Sequence, residues 1–568
     1  MRTLFAAVLA VALLAVAPVG AQAADVSPGA KWTQETIESS DGVKLHADVL
    51  RPANLPADAK TPVILSIGPY FNHSGQVGPA GPVEDATYDP LGPTTGPSDR
   101  FFDFVNGAKL MERGYTFVMV DLRGFGGSTG CLDWGGPGEQ ADVAKAVEWA
   151  ADQPWSTGKV GMYGKSYDGV TGLVGVNKQP RGLEAVVSQE PVYDLYRYLY
   201  GDGLRRLNSV ATPALYNLIA ITPGQALGST DYNIAAAQTA NPGCLVLNQL
   251  AQTADDDHDS AYWKQRTMID GAKGSDVPLF LTQGLTENNT VADGMAQYLE
   301  NHTGYEQGWL GPWEHVRGNE TDENGRLKMG RAGWFDETMR FYDRFLKGVE
   351  PPVQDPKWAI QTNDGKWFAQ DSWKPASASD LTSTLRTGDY ADDASGPATG
   401  SGAEEGLWTI SRPLTDEAHL AGSGKVELDV SKALPTAANL VVDVYDLDAQ
   451  GTGPLITRQG HLVRQDGKLS LDLWSADWKV AEGHRIGVRI TDANDDWWLH
   501  TGVPVGQTVT VKSGSVTLPF QTEARTRLIQ GDPGVQLADY LKETVTVPAS
   551  TVASSESTGF ALPGPQTR

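Results

Sequence analysis

The stretch EWAADQPWSTGKVGMYGKSYDG, residues 148–169, decides the fold. EQADVAKAVEWAADQP (139–154) sets Val143, Val147 and Ala150 on one face, the 3.6-residue period of an amphipathic helix. KVGMYG (159–164) is a short strand, and a glycine-flanked serine follows it at once. Ser166 stands in Gly164-Lys165-Ser166-Tyr167-Asp168-Gly169, one residue longer than the G-x-S-x-G pattern that pushes a serine out of a sharp strand-to-helix turn. A serine hydroxyl is a weak nucleophile until a base stands beside it. An ordinary glycine-rich bend is therefore the competing reading of these residues.

Working outward, TPVILSIGPY (61–70), YTFVMVDLRG (115–124), LEAVVSQEP (183–191) and VPLFLTQG (277–284) are further apolar strands alternating with helices. Such alternation from about residue 30 to 350 predicts a mostly parallel sheet covered on both faces. Between Tyr193 and about Asp276 the strands stop, and the segment 193–276 reads as a helical insertion capping the strand ends, where ligands bind. Residues 73–100 form a long Gly/Pro-rich loop. After Pro351-Pro352, short alternating strands such as KVELDVS, NLVVDVYDLD, HRIGVRITDA and SVTLPF predict an antiparallel β-sandwich of jelly-roll type over 355–547. The Ser/Pro/Gly-rich tail, 548–568, is expected to be disordered.

The 568 residues exceed one hydrophobic core, so two or three domains are expected. Residues 1–24 read as a secretory signal peptide, with Arg2, an apolar run from Leu4 to Val16 and the small-x-small pattern Ala21-Gln22-Ala23. A secreted location is expected. Acidic residues outnumber basic ones 70 to 45, a net charge of −25, which argues against nucleic acid and anionic membranes as partners. The two cysteines, Cys131 and Cys244, could pair outside the cytosol, although spacing alone does not establish that they meet. Without a histidine cluster they do not predict zinc.

A hydrolytic serine needs a base and an orienting carboxylate, in α/β-hydrolases in the chain order Ser, Asp/Glu, His. Glu287 follows the strand VPLFLTQG, and His315 lies in WLGPWEHVRG, so both belong at loops above the strand ends. At this point the chain resembles the X-Pro dipeptidyl-peptidase and cocaine-esterase-like family of serine hydrolases. The residues that carry the likeness are IGPY (67–70), DLRGFGGSTG (121–130), the block 148–169, GLTE (284–287), GPWEH (311–315) and TDANDDWWLHTG (491–502). The resemblance implies an α/β-hydrolase domain over 25–350, Ser166 as nucleophile, His315 as base, Glu287 as orienting carboxylate, and an oxyanion hole from the Tyr70 hydroxyl and the Tyr167 N–H. It implies no metal or organic cofactor. The family usually carries Asp where Glu287 stands; Asp293 is the alternative acid.

Other residues divide between functional and structural readings. His73, Glu190 and Asp194, with Asp202, could line a substrate pocket, a carboxylate being what a dipeptidyl-peptidase needs for the substrate ammonium. Asp121 and Arg123 read as a buried structural pair and Trp313 as packing beneath His315. ADDDH (254–258) reads as a solvated helix approach rather than a metal site, and Trp497, Trp498 and His500 as burial where the two domains meet. The expected reaction is acyl-bond hydrolysis on a short peptide or small molecule. A carboxylesterase without peptidase activity is the alternative, and an inactive binding protein on a hydrolase scaffold is the rival from another class.

Overall fold

The structure, a computed structural model, describes residues 26–56, 58–71, 77–78, 81–82, 97–221, 242–394, 405–494, 496–502 and 506–567. Residues 1–24, read above as a signal peptide, lie outside them. Eleven strands form one sheet, in the order Ala30–Glu38, Lys44–Pro52, Thr116–Asp121, Thr61–Gly68, Ser156–Lys165, Leu183–Gln189, Leu279–Gly284, Glu306–Gly311, Trp358–Gln361, Trp367–Gln370 and Leu528–Ile529. From Thr116–Asp121 to Trp358–Gln361 neighbours are parallel; the outer strands are antiparallel. Every residue of Thr61–Gly68 and Leu279–Gly284 is buried, as parallel strands covered on both faces require. Two apolar clusters cover the two faces. One includes Val143, Val147, Leu173 and Met162, the other Phe104, Trp334, Phe341 and Tyr342.

The helix Pro137–Asp152 starts with Pro137 in its first turn and turns Val143, Ala146, Val147 and Ala150 inward, the face read from its periodicity. The large sheet runs past the boundary expected near 350. Trp358–Gln361 and Trp367–Gln370 extend it, and Leu528–Ile529 returns from the far end of the chain to close its edge. Local patterning could not show this, because a strand's sheet membership depends on a distant partner.

In the second domain, a sheet built around Gln507–Gln521 and one built around Ala438–Leu447 share a single core of Val426, Leu428, Val442, Val444, Val488, Val511 and Val516. QTVTVKSG and SVTLPF, read as two strands, are one strand of 15 residues. The tail is not disordered. Ala549–Ser555 is helical, Ser557 pairs with Ser411, and Phe560 is buried in the second domain's core.

The segment 193–276 is mainly helical among its described residues, with Leu195–Leu199, Asn208–Ile221 and Pro242–Ala254. It is not free of strands: Tyr200–Gly201 pairs with Leu204–Arg206, which pairs with Trp498–Leu499 of the second domain. Leu204, Val291, Trp474 and Trp498 cluster at this contact, so Trp498 is buried where the domains meet. His500 pairs instead with Asp392 inside the second domain. Asp121 and Arg123 do not pair with each other. Arg123 binds Asp142 and Asp41, while Asp121 accepts from the Gly127 N–H and lies beside His46.

Candidate active site

The serine turn is a strained elbow. Strand Ser156–Lys165 ends directly before Ser166, whose φ of 67° and ψ of −127° precede the helix Tyr167–Lys178. A residue with a β-carbon pays for that conformation, and such strain collects at functional sites. The Ser166 N–H donates to the Gln189 carbonyl at 2.9 Å. Gly164 is required by the turn, because a β-carbon there would stand 2.1 Å from the Asp168 carbonyl oxygen.

Asp168 occupies the place where the shorter pattern has glycine, and the opposite strand end makes room for it. A β-carbon on Gly68 would lie 1.5 Å from Asp168 Oδ1. Burial pushes the Asp168 carboxyl up to about 6, against Arg100, whose Nε donates to Oδ2 at 2.5 Å. Arg100 also donates to the Lys165 carbonyl (3.2 Å) and stacks its guanidinium 4.0 Å from the centre of the Tyr70 ring.

Tyr70 lies two residues beyond the end of strand Thr61–Gly68. Its hydroxyl lies 3.5 Å from Ser166 Oγ and also hydrogen-bonds the Tyr216 hydroxyl, which arrives from the helix Asn208–Ile221. Burial raises the Tyr70 phenol, with Arg100 opposing. Tyr167 begins the next helix, where the first-turn N–H has no intrahelical acceptor. Its hydroxyl donates to Glu139 Oε2 at 2.6 Å, and burial, reinforced by Asp133, pushes Glu139 up to about 7. Trp134, Tyr198 and Tyr216 pack around these rings. The Cys131–Cys244 disulfide is formed, and it ties the loop before Trp134 to the helix Pro242–Ala254.

Glu287 and His315 come from the loops after Leu279–Gly284 and Glu306–Gly311 and meet at 2.6 Å, Nδ1 to Oε1. Thr290 completes the contact: its N–H (2.9 Å) and hydroxyl (2.7 Å) both donate to Glu287 Oε1, and the hydroxyl lies 3.2 Å from His315 Nδ1. Burial would raise Glu287, but the charge and hydrogen bond of the His315 ring, with bonds from Glu190 and Thr290, carry it well below the usual carboxylate range. Burial holds His315 below its ordinary value, with nearby Lys165 adding to it and Glu287 opposing. Lys165, itself lowered to about 8 by burial, donates to the His315 carbonyl at 3.1 Å. Ser166 and His315 direct their hydrogen bonds to these partners and not to each other. Catalytic contacts of this kind commonly close only when substrate binds.

Other candidates fall elsewhere. Asp293 pairs with Arg197 (2.8 Å) and accepts from Gln459, so it does not back His315. Asp194 is a buried helix cap, accepting from the Tyr196 and Arg197 N–H groups and pairing with His258 at 3.1 Å. Asp202 pairs with His461 of the second domain. Glu190 is fully buried behind Glu287 and out of a substrate's reach. His73 lies outside the described residues. Trp313 is buried, stacked on Trp367, and donates to Glu190 at 3.0 Å. Sequence reasoning missed Arg100, Thr290 and Tyr216. Nothing in their local spacing marks them, since each acts on a residue distant in the chain.

Asp392, Asp492 and His500 bring three ligand-type atoms within 4.8 Å of one another in the second domain. The Asn439 amide already donates there to Asp392 and to the Thr501 carbonyl, both at 3.1 Å. A cavity of about 500 Å³, lined by Tyr305, Arg340, Phe341, Arg344 and Lys357, opens at the start of strand Glu306–Gly311, the end opposite His315.

The sequence model of the X-Pro dipeptidyl-peptidase (S15 family) matches residues 41–317, and that of the X-Pro dipeptidyl-peptidase C-terminal non-catalytic domain matches 352–516. A Streptomyces avermitilis protein provisionally named an Xaa-Pro dipeptidyl-peptidase is 24% identical over 437 residues, 69% of this chain and 60% of its own length. The chain thus spans somewhat under two thirds of that relative. The cocaine esterase of Rhodococcus sp. (strain MB1 Bresler) is 26% identical over 345 residues, 55% of this chain and 54% of the esterase. A Staphylococcus aureus CocE/NonD family hydrolase superposes with a TM-score of 0.63 at 17% identity, covering 86% of this chain and 94% of its own, a likeness of fold.

Proposed function

This chain belongs to the X-Pro dipeptidyl-peptidase (S15) family of serine hydrolases, and we propose that it hydrolyses an acyl bond through an acyl-enzyme on Ser166. The observation that carries this reading is the Glu287–His315 contact of 2.6 Å, taken together with a strained Ser166 whose Oγ lies 3.5 Å from the Tyr70 hydroxyl. His315 Nε2 takes the Ser166 proton as Oγ attacks the carbonyl. Glu287 holds the ring tautomer and stabilises the imidazolium without taking the proton itself. The Tyr70 hydroxyl and the Tyr167 N–H receive the oxyanion, each such donor being worth about 3 kcal/mol in the transition state. His315 returns the proton to the leaving group, and water then repeats the cycle on the acyl-enzyme. In this reading the segment 193–276 is a cap that brings Tyr216 over Tyr70, and the second domain is a jelly roll that buttresses it. The leader and the disulfide support a secreted location.

Family membership supports dipeptidyl-peptidase or esterase chemistry. One observation favours the ester or simple amide: Glu190, Asp194 and Asp202, the carboxylates offered for a substrate ammonium, are each committed to partners within the protein. Turnover of p-nitrophenyl acyl esters, compared with Ala-Pro and Gly-Pro anilides, tests the choice. Ester turnover without anilide turnover supports the esterase, and efficient anilide cleavage overturns it in favour of the peptidase. Loss of all turnover in Ser166→Ala is expected in both cases.

A further inference from the structure

Glu190 has no part in the chemistry above, yet it is built into the site with care. It is fully buried and adopts a φ of 46°, a left-handed conformation unfavourable for a residue with a β-carbon. That turn directs its carboxyl back across the strand ends, where four donors converge. Trp313 Nε1 (3.0 Å) and the Thr282 hydroxyl (3.1 Å) donate to Oε1; the Gly284 N–H (2.7 Å) and Gln283 Nε2 (3.5 Å) donate to Oε2. Gly284 opens the loop that carries Glu287, and Trp313 lies in the loop that carries His315. The preceding residue continues the pattern: the Gln189 carbonyl takes the Ser166 N–H, and its Oε1 takes the Gly318 N–H at 3.1 Å. One dipeptide therefore fastens the nucleophile, acid and base loops together.

Glu190 and Glu287 also stand side by side. Gln283 Nε2 lies between them, 3.5 Å from Glu190 Oε2 and 3.4 Å from Glu287 Oε2. Two adjacent buried carboxylates do not both ionise when their surroundings cannot compensate them. Glu287 has the His315 ring and both Thr290 donors to hold its charge. Burial and the Glu287 charge both push Glu190 the other way, toward the neutral acid, with the Gly284 N–H and Trp313 Nε1 bonds opposing them. The other titratable groups around the pair are Tyr193, whose hydroxyl donates to Gln283 Oε1, with Tyr198, Lys165, Arg206 and Glu314 farther out.

We propose that Glu190 is a positioning residue of the relay, a neutral carboxylic acid that clamps the acid loop to the base loop and donates its proton in a hydrogen bond to Glu287. The inference rests on the Ser166–His315–Glu287 reading for its catalytic consequence, but not for its protonation state. Its test is Glu190→Gln in the full chain. The amide is neutral like the acid but turns an N–H toward the Gly284 N–H, so the clamp loosens while the local charge stays the same. The expected result is a fall in kcat of about tenfold or more on a p-nitrophenyl ester with KM nearly unchanged, and no movement of the acid limb of kcat/KM with pH. The infrared difference spectrum between wild type and variant at neutral pH should show loss of a protonated-carboxyl band. An unchanged kcat overturns the positioning role; an absent band, or an acid limb displaced to lower pH, overturns the neutral acid. Should Glu190→Gln fail to fold, Trp313→Phe removes one donor to Glu190 and should lower kcat with KM held, and unchanged kcat there counts against the clamp. If Ser166→Ala retained turnover, the catalytic reading itself would fall, and the infrared band would still report on Glu190.

Discussion

Shortening Glu287 to Asp restores the residue more usual in the family, and in this chain it should damage the enzyme. The substitution withdraws the carboxylate by one carbon–carbon bond, roughly 1.5 Å. The His315 Nδ1–Oε1 distance, now 2.6 Å, would open to about 4 Å, beyond hydrogen-bonding range. The two Thr290 bonds to the same oxygen would open with it. Neutralising the carboxylate of a serine triad outright costs about 10⁴ in kcat. Glu287→Asp keeps a negative charge nearby and loses the tautomer-fixing bond, so a loss of about 10² is expected, equivalent to about 2.7 kcal/mol of transition-state stabilisation. Steady-state hydrolysis of a p-nitrophenyl ester reads it directly, with KM within about twofold of wild type because no substrate contact is removed. A Glu287→Asp enzyme with wild-type kcat would refute the reasoning, since it would mean that the loop is free to follow the shorter side chain.

Tyr70→Phe deletes the hydroxyl that lies 3.5 Å from Ser166 Oγ, and kcat should fall about 10²–10³-fold with KM little changed; a loss confined to KM would make Tyr70 a substrate contact only. His315 is held below its ordinary value of 6.5, so the unprotonated base is present above that lowered value and is lost as pH falls through it. The acid limb of kcat/KM should therefore lie below pH 6.5, and an apparent pKa above 6.5 would contradict the assigned environment. Replacing Cys131 and Cys244 by serine opens a link across 113 residues, and chain entropy assigns such a link about 4–5 kcal/mol. Thermal unfolding should come at a clearly lower midpoint, and an unchanged midpoint would show that the loop and helix hold together without the bond.

Much of the fold was legible because buried parallel strands and amphipathic helices leave strong periods. TPVILSIG and LFLTQG are buried throughout because both sheet faces are covered, and the helix over 139–154 shows its inner face in its spacing. Ser166, Glu287 and His315 were legible as strand-end residues, and the structure brings the last two into contact. Legibility failed where a residue's role depends on a partner far along the chain. Glu190 and Asp194 read as spare carboxylates near a pocket, whereas the strand-end donors and a helix terminus claim them. Arg100 carries no motif of its own; only the fold shows that it answers Asp168, the residue that lengthened the serine pattern. The tail shows the same limit, since the pairing of Ser557 with Ser411 and the burial of Phe560 depend on partners far back in the chain.

The most direct measurement of the central claim is active-site titration of the intact chain with a fluorophosphonate, followed by peptide mapping. A single adduct on Ser166 is expected, slowed by orders of magnitude in His315→Ala and absent in Ser166→Ala. A folded protein that stays unlabelled, or one labelled at another serine, would contradict the account.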